Sequence, residues 1–230
     1  MICWSCEKEG GGGPFCAACK AILPPDTGPL GAGPGPQGAG PRIDRFAVLG
    51  LPRKFEVDLG AAEAAYKELS RQLHPDRFAK ADPRARKAAL ARTVEINDAW
   101  RTVKDPLRRA EYLLELAGYA LAGGEKSAEM SKTRKVSAPP TFLVEVLELR
   151  DELAAAQQAG DAVKVAFMSE EMRGRAAAAM KTIATSIDRG TPEALDEAAQ
   201  ALMSLRYYQR FLDEVAAHQE RGARSGGDRG

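Results

Sequence analysis

The chain has 230 residues, of which 44% are hydrophobic and 28% charged, and its formal net charge is +1. These values are ordinary for a globular protein, and the near-neutral charge argues against bulk attraction to nucleic acid or anionic membranes. No apolar run approaches the ~18 residues that a membrane helix needs, and the N-terminus lacks the basic-then-apolar order of a secretory signal. We therefore expect a cytoplasmic protein.

All four cysteines lie within residues 1–25, as two Cys-x-x-Cys pairs separated by nine residues. Two such pairs can bring four thiolates to one tetrahedral metal ion, with Zn–S bonds of ~2.3 Å. Disulfides are disfavoured in the expected cytoplasmic setting, and a thioredoxin-like redox pair lacks a βαβ context. An iron–sulfur cluster stays open as an alternative, although two short knuckles favour one structural zinc ion, whose binding would supply the folding energy of the segment. The predicted ligands are Cys3, Cys6, Cys16 and Cys19.

The next segment, at 26–43, consists mostly of glycine, proline and alanine, which predicts a solvated linker. From residue 44 onward the hydrophobic pattern has the period of a helix. We expect helices at about 59–73 and 82–103, and a third from Pro106 to Gly118, because proline and glycine supply the start and stop signals. Residues 44–118 are therefore predicted to form one helical unit.

A polar connector with paired glycines and prolines is predicted at 119–139. Three more helices follow, at about 141–158, 161–188 and 191–218, and residues 219–230 are expected to form a disordered polar tail. No window alternates with period two over a useful length. The pattern predicts an all-α protein in which the first helical unit is followed by a three-helix bundle at 140–218.

His74-Pro75-Asp76 follows directly after the first long predicted helix. The proline ends that helix, because the residue before a proline is disfavoured in the α region, and the two polar side chains are then expected in an exposed turn. Glu63, Lys67 and Arg71 recur at four-residue spacing and form a polar face opposite the apolar stripe. Taken alone, the tripeptide indicates only a sharp turn in which Asp76 caps a helix, since three-residue strings recur by chance.

The sequence around the tripeptide carries a resemblance to a known family. Arg-Phe-Ala-Val-Leu-Gly-Leu-Pro stands at 45–52, Ile-Asn-Asp-Ala-Trp at 96–100, and Lys-Asp-Pro-Leu-Arg-Arg-Ala-Glu-Tyr-Leu-Leu at 104–114. This order resembles the J domain, and from about 44 to 216 the chain is most similar to the HscB family of iron–sulfur cluster co-chaperones. Some members carry a similar N-terminal cysteine module.

The HscB resemblance implies an L-shaped protein that docks on a DnaK-type chaperone, either HscA-like or DnaK itself. The tripeptide would trigger ATP hydrolysis by the chaperone while the co-chaperone delivers its client, so this protein would perform no bond chemistry and would not be an enzyme. Electrostatic docking on an acidic chaperone surface favours encounter rate and specificity. The matched chaperone-binding positions are Lys67, Arg71, His74, Pro75, Asp76 and Arg77.

The C-terminal helices carry two apolar stripes each. Phe142, Val146, Leu149 and Leu153 have core spacing, and Leu143 and Leu147 form a second stripe bordered by charges. In the last helix the expected core stripe is Ala201, Leu205, Tyr208, Leu212 and Val215, with Met203, Tyr207 and Phe211 beside it. The pattern leaves two interpretations open: both stripes are core in a rotated packing, or the second stripe is an exposed patch that binds a partner.

The HscB resemblance implies the second interpretation, with the scaffold protein on which iron–sulfur clusters are assembled (IscU type) as the partner. Val144 stands where a methionine is common in the family, and Asp151 replaces a usual glutamate. These two differences bear on the affinity for the scaffold and not on the function. The matched scaffold-binding positions are Leu143, Val144, Leu147, Glu148, Arg150, Asp151 and Tyr207.

Three other functions are less compatible with the sequence. A J-domain co-chaperone with another client is disfavoured because a Gly/Phe-rich region and repeated Cys-x-x-Cys-x-Gly-x-Gly units are missing. A zinc-knuckle protein that binds nucleic acid is disfavoured by the near-neutral charge and by the lack of aromatic residues interleaved with basic ones. An enzyme is disfavoured because neither a nucleophile–base set nor a phosphate-binding loop is present.

Overall fold

The structure is a computed structural model that describes residues 2–10, 13–25, 44–121 and 134–226. The chain divides into two compact units, Met1–Leu116 and Ala117–Gly230. The predicted linker at 26–43 lies outside the described residues. The all-α prediction is confirmed for the described parts of both units, apart from two three-residue strands.

The first unit begins with a module of two similar knuckles, which contains the four cysteines. In each knuckle the N–H of the first cysteine donates to the carbonyl five residues later, from Cys3 to Lys8 and from Cys16 to Ala21, both at 2.8 Å. The turns close through residues of positive φ, Glu7 at 57° and Lys20 at 62°. A small core of Cys3, Cys16 and Leu23, with Trp4, Cys6 and Ala21 packed against it, holds the knuckles together.

The helices of the first unit start at the residues that capping chemistry favours. They are α1 (Arg45–Val48), α2 (Leu59–Leu73), α3 (Pro83–Lys104) and α4 (Pro106–Leu116). Asp44, Asp58 and Asp82 each accept a backbone N–H in the first turn of α1, α2 and α3. A 3₁₀ turn, Pro75–Phe78, follows α2. The buried side chains between these helices include Phe46, Phe55, Ala62, Leu73, Ala89, Ile96, Val103 and Leu114.

The second unit opens with the two strands, β1 (Tyr119–Leu121) and β2 (Arg134–Val136), which pair in parallel. They stand near the two ends of the predicted connector, where three residues are too few for a period-two pattern to be recognised. The Tyr119 hydroxyl donates to Asp196 Oδ1 at 2.8 Å, and Arg134 pairs with Asp196 at 2.8 Å. These contacts attach the strands to the last helix.

Three long helices complete the second unit: α5 (Pro140–Gln158), α6 (Ala162–Arg189) and α7 (Pro192–Gly226). Gly190, at φ 67°, ends α6, and Thr191 Oγ1 accepts the Ala194 N–H at the start of α7. The helix α7 continues to Gly226 rather than ending near His218, since neither glycine nor proline interrupts it before Gly222.

The core of this bundle contains one residue that the sequence pattern had placed beside the core stripe, Phe211. It is buried together with Leu153, Ala156, Val165, Met168, Met172 and Val215. Met203 is also buried, whereas the expected core residue Ala201 is only half-buried. For α7, the burial of Met203 and Phe211 agrees with the interpretation in which both stripes are core, and two adjacent stripes of similar hydrophobicity cannot be ranked from periodicity alone.

Candidate functional site

The His-Pro-Asp turn is exposed at the C-terminal end of α2. Pro75 starts the 3₁₀ turn, and the Asp76 N–H donates to His74 Nδ1 at 3.3 Å. The His74 side chain is 56% exposed and that of Asp76 90% exposed, with Nδ1 and Oδ2 3.6 Å apart. Pro75 is half-buried, and Arg77 is exposed. Both polar groups of the tripeptide are therefore presented to solvent by a short, hydrogen-bonded turn.

The basic side chains of α2 precede this turn on the exposed surface. Lys67 pairs with Glu63 at 2.8 Å, and Arg71 pairs with Glu68. Exposed pairs of this kind contribute little to stability, about 0–1 kcal/mol, so either cation can exchange its partner for a carboxylate of another protein at small cost. All six predicted chaperone-binding residues thus lie on α2 or in the turn that follows it.

Thr93 supports the turn from α3, and the sequence pattern carried no signal for this role. Its hydroxyl Oγ1 lies 3.3 Å from the carbonyl oxygen of Leu73, the last residue of α2, and 2.9 Å from that of Ala89. Because Leu73 directly precedes His74, this contact places Thr93 of α3 against the end of the helix from which the tripeptide projects.

The four cysteine sulfurs form one cluster, with all Sγ atoms within 4.8 Å of one another. Cys3 Sγ and Cys19 Sγ are 3.6 Å apart, and Cys6 Sγ and Cys16 Sγ are 3.7 Å apart. A tetrahedron with Zn–S bonds of about 2.3 Å places its sulfurs about 3.8 Å apart. The donor set and its spacing therefore fit one tetrahedral metal ion, as the Cys-x-x-Cys spacing predicts.

The pKa values of Cys6 and Cys16 shift in opposite directions, as expected for neighbouring acidic groups. Backbone N–H groups, that of Cys19 first, lower the pKa of Cys16 to about 6 against the opposing effect of burial. The Lys8 N–H acts in the same direction on Cys6, yet burial and the neighbouring thiols raise the pKa of Cys6 to about 12. Four adjacent thiolates would repel one another, and a bound cation removes that conflict.

The predicted scaffold-binding residues of α5 lie on its outer surface. Leu143, Val144 and Leu147 are 36%, 54% and 60% exposed. Glu148, Arg150 and Asp151 are also exposed, and Arg150 pairs with Glu214 of α7 at 3.3 Å. The structure therefore favours an exposed apolar patch with a charged border over the interpretation in which both stripes of α5 are core.

A pocket of about 340 Å³ opens between this patch and α7. Leu143, Leu147, Arg150 and Tyr207 contribute to its lining. Tyr207 is half-buried, and its ring packs edge-on against Phe142 with centroids 5.4 Å apart. The predicted residue of α7 thus lies at the same pocket as the exposed leucines, whereas Val144, Glu148 and Asp151 do not line it.

Comparison with known proteins identifies both helical regions of the chain. Residues 44–112 match the DnaJ domain, and residues 138–216 match the HSCB C-terminal oligomerisation domain. The Co-chaperone protein HscB homolog of Ralstonia nicotianae is 34% identical over 74% of this chain and 91% of the relative. That of Burkholderia multivorans is also 34% identical, over 76% and 94%. This chain belongs to the HscB family of J-domain co-chaperones. The resemblance inferred from the sequence is confirmed.

Solved structures show the same HscB architecture. Chaperone HscB from Vibrio cholerae is 29% identical and superposes with a TM-score of 0.63 over 78% of this chain and 99% of its own. Human co-chaperone protein HscB, at 23% identity, has a TM-score of 0.70 over 95% of this chain and 98% of its own, which supports the fold.

Among the described residues, none of the helices is long and apolar enough to span a membrane.

Proposed function

We propose that this HscB-family protein stimulates the ATPase of a DnaK-type chaperone, HscA-like or DnaK itself, and delivers an IscU-type iron–sulfur scaffold protein to it. The observation that carries the proposal is the solvent-exposed His74-Pro75-Asp76 turn at the end of the helix that carries Lys67 and Arg71, in a chain whose second unit presents a separate apolar patch. One unit then contacts the chaperone and the other holds the client.

On the chaperone side, the positive groups of Lys67, Arg71 and Arg77 attract an acidic surface and orient the turn on it. Long-range attraction of this kind raises the association rate, which falls as salt screens the charges. His74 and Asp76 then contact the chaperone directly, because both side chains are exposed to solvent. ATP hydrolysis takes place on the chaperone, and this protein changes only its rate.

On the scaffold side, Leu143, Val144 and Leu147 supply the apolar centre of the contact, and Tyr207 lines the adjoining pocket. Glu148, Arg150 and Asp151 form the charged border. A buried apolar centre inside a polar rim is the usual anatomy of a specific protein interface.

The cysteine module holds a structural zinc ion in this proposal, through Cys3, Cys6, Cys16 and Cys19. The ion supplies the energy that folds a segment whose apolar core is otherwise very small. With all four positions of the tetrahedron taken by sulfur, the site leaves no open position for catalysis.

A reconstituted ATPase assay tests the proposal. The hydrolysis rate of the purified DnaK-type chaperone is measured alone, with this protein, and with this protein plus the scaffold. We expect stimulation by this protein and a further rise when the scaffold is added, because the two partners bind different units. A rate that this protein leaves unchanged at saturating concentration would contradict the chaperone assignment, and a scaffold without effect or binding would contradict the client assignment.

A further inference from the structure

Arg92 on α3 is only 1% exposed, an uncommon environment for a guanidinium group. Its Nη1 donates to Glu95 Oε2 at 2.7 Å, one turn further along the helix. Two further hydrogen bonds reach the cysteine module, from Nε to the Leu23 carbonyl at 2.9 Å and from Nη2 to the Pro24 carbonyl at 3.0 Å. Backbone carbonyls of the module therefore accept hydrogen bonds from a buried charge of the J domain.

The carbonyls that Arg92 contacts are positioned by the interior of the module. Leu23 is 1% exposed and packs against Cys3 and Cys16, and its N–H donates to the Pro14 carbonyl at 2.8 Å. Gly10 leaves room for it, since a Cβ there would approach Leu23 Cδ1 to 2.8 Å. Any change that loosens the cysteine cluster therefore also displaces the acceptors of the buried guanidinium.

The same stretch of α3 supports the His-Pro-Asp turn. Thr93, the residue after Arg92, contacts the carbonyl oxygen of Leu73 at the end of α2 through its Oγ1. Glu95 is buried as well, and Ile96 belongs to the core between α2 and α3. Consecutive residues of one helix thus contact the cysteine module and the end of the chaperone-binding helix.

We infer that Arg92 anchors a docking surface on the J domain for the cysteine module, and that metal loading of the module thereby stabilises α3. The inference rests on the proposal that the cluster binds zinc. Without the ion the module unfolds, and Arg92 loses its two carbonyl acceptors. A buried charged pair that loses hydrogen-bond partners is destabilised, so α3 opens more often. Because coupling is reciprocal, Arg92 also stabilises zinc in the module.

Hydrogen exchange measured by mass spectrometry on the full chain tests this coupling. Peptides from α3 and from α6 are followed in the zinc-loaded protein and after removal of zinc with a chelator, with the zinc content of each sample determined. We expect exchange in α3 to become about tenfold faster on zinc removal, while exchange in α6 of the other unit stays unchanged. In Arg92→Met, exchange in α3 is already fast with zinc bound, and zinc removal adds little.

Arg101→Met is the matched control, because Arg101 lies on the same helix and pairs with Asp98 at 3.3 Å in an exposed position. We expect zinc to transfer to a competing chelator several-fold faster from Arg92→Met than from the wild type, and at the wild-type rate from Arg101→Met. Arg92→Lys, which keeps the charge but replaces the planar fork of donors with a single ammonium group, serves if Arg92→Met fails to fold.

Two results separate this inference from the zinc proposal. If zinc is bound and its removal leaves exchange in α3 unchanged, the coupling is absent although the metal site stands. A wild type that binds no zinc overturns the metal site and the inference together. Equal effects of Arg92→Met and Arg101→Met on exchange and zinc transfer would also overturn the role of Arg92.

Discussion

Substitution of Leu147 tests whether the outer face of α5 binds a partner or belongs to the core. Its side chain is 60% exposed, so less than half of it is covered in the folded protein. Complete burial of a leucine contributes roughly 2 kcal/mol, and Leu147→Ala should therefore lower the free energy of unfolding by about 1 kcal/mol or less. Leu153, on the same helix, is fully buried. Leu153→Ala leaves a cavity and should cost about 2–5 kcal/mol.

The order of the two variants should reverse when scaffold binding is measured, with the larger loss of affinity in Leu147→Ala. An apolar side chain at the centre of an interface commonly contributes about 2 kcal/mol or more to binding, which corresponds to roughly a 30-fold change in Kd. We expect a loss of this size for Leu147→Ala in calorimetric titration with the IscU-type scaffold. Stimulation of the chaperone in the absence of scaffold should stay at the wild-type level, because the His-Pro-Asp turn lies in the other unit.

Thermal unfolding of the same samples completes the test. A Leu147→Ala protein that binds the scaffold with wild-type affinity would refute the assignment of this face. If Leu147→Ala loses as much stability as Leu153→Ala, Leu147 is part of the core instead.

Three further predictions concern the cysteine module and the J domain. Cys16→Ser should lose the bound metal, measured as one zinc per chain in the wild type; iron with visible absorbance in the wild type would contradict the zinc assignment. Lys67→Glu should slow association with the chaperone by about tenfold at low salt, and the difference should shrink as salt is added; an effect independent of salt would argue against electrostatic docking. Asp82→Ala removes the side chain that accepts the Arg84 N–H at 2.7 Å, and urea unfolding should show a loss of about 1 kcal/mol; unchanged stability would mean that the cap contributes nothing.

The boundaries of α2 and α3 were predictable because local chemistry determines them, whereas α1 was not predicted and α4 ends at Leu116 rather than at Gly118. The expected helix at 59–73 coincides with α2, and the one at 82–103 differs from α3 by one residue at each end. Aspartates that cap and prolines that interrupt act within a few residues of their own position, so a single sequence contains the information. The cysteine cluster was predictable for the same reason, since each ligand pair closes a short turn.

Contacts between distant segments were not predictable in this way. Arg92 is separated from Leu23 by 69 positions, and in the sequence it resembles any other charged residue of a helix. The burial of Phe211 depends on how α7 is rotated against α5 and α6, which local periodicity leaves open. Whether the second stripe of α5 is core or exposed was left open for the same reason, and the exposure of Leu143 and Leu147 supplied the answer.

The most direct test of the proposed function is to measure single-turnover ATP hydrolysis by the DnaK-type chaperone. The His74→Gln variant of this protein is added to the chaperone in place of the wild type. His74 is exposed, so the substitution should change stability by no more than about 0.5 kcal/mol. His218→Gln is the matched control, since it makes the same substitution at the other histidine of the chain. We predict that His74→Gln abolishes stimulation while His218→Gln stimulates like the wild type. A folded His74→Gln protein that stimulates at the wild-type rate would contradict the assignment.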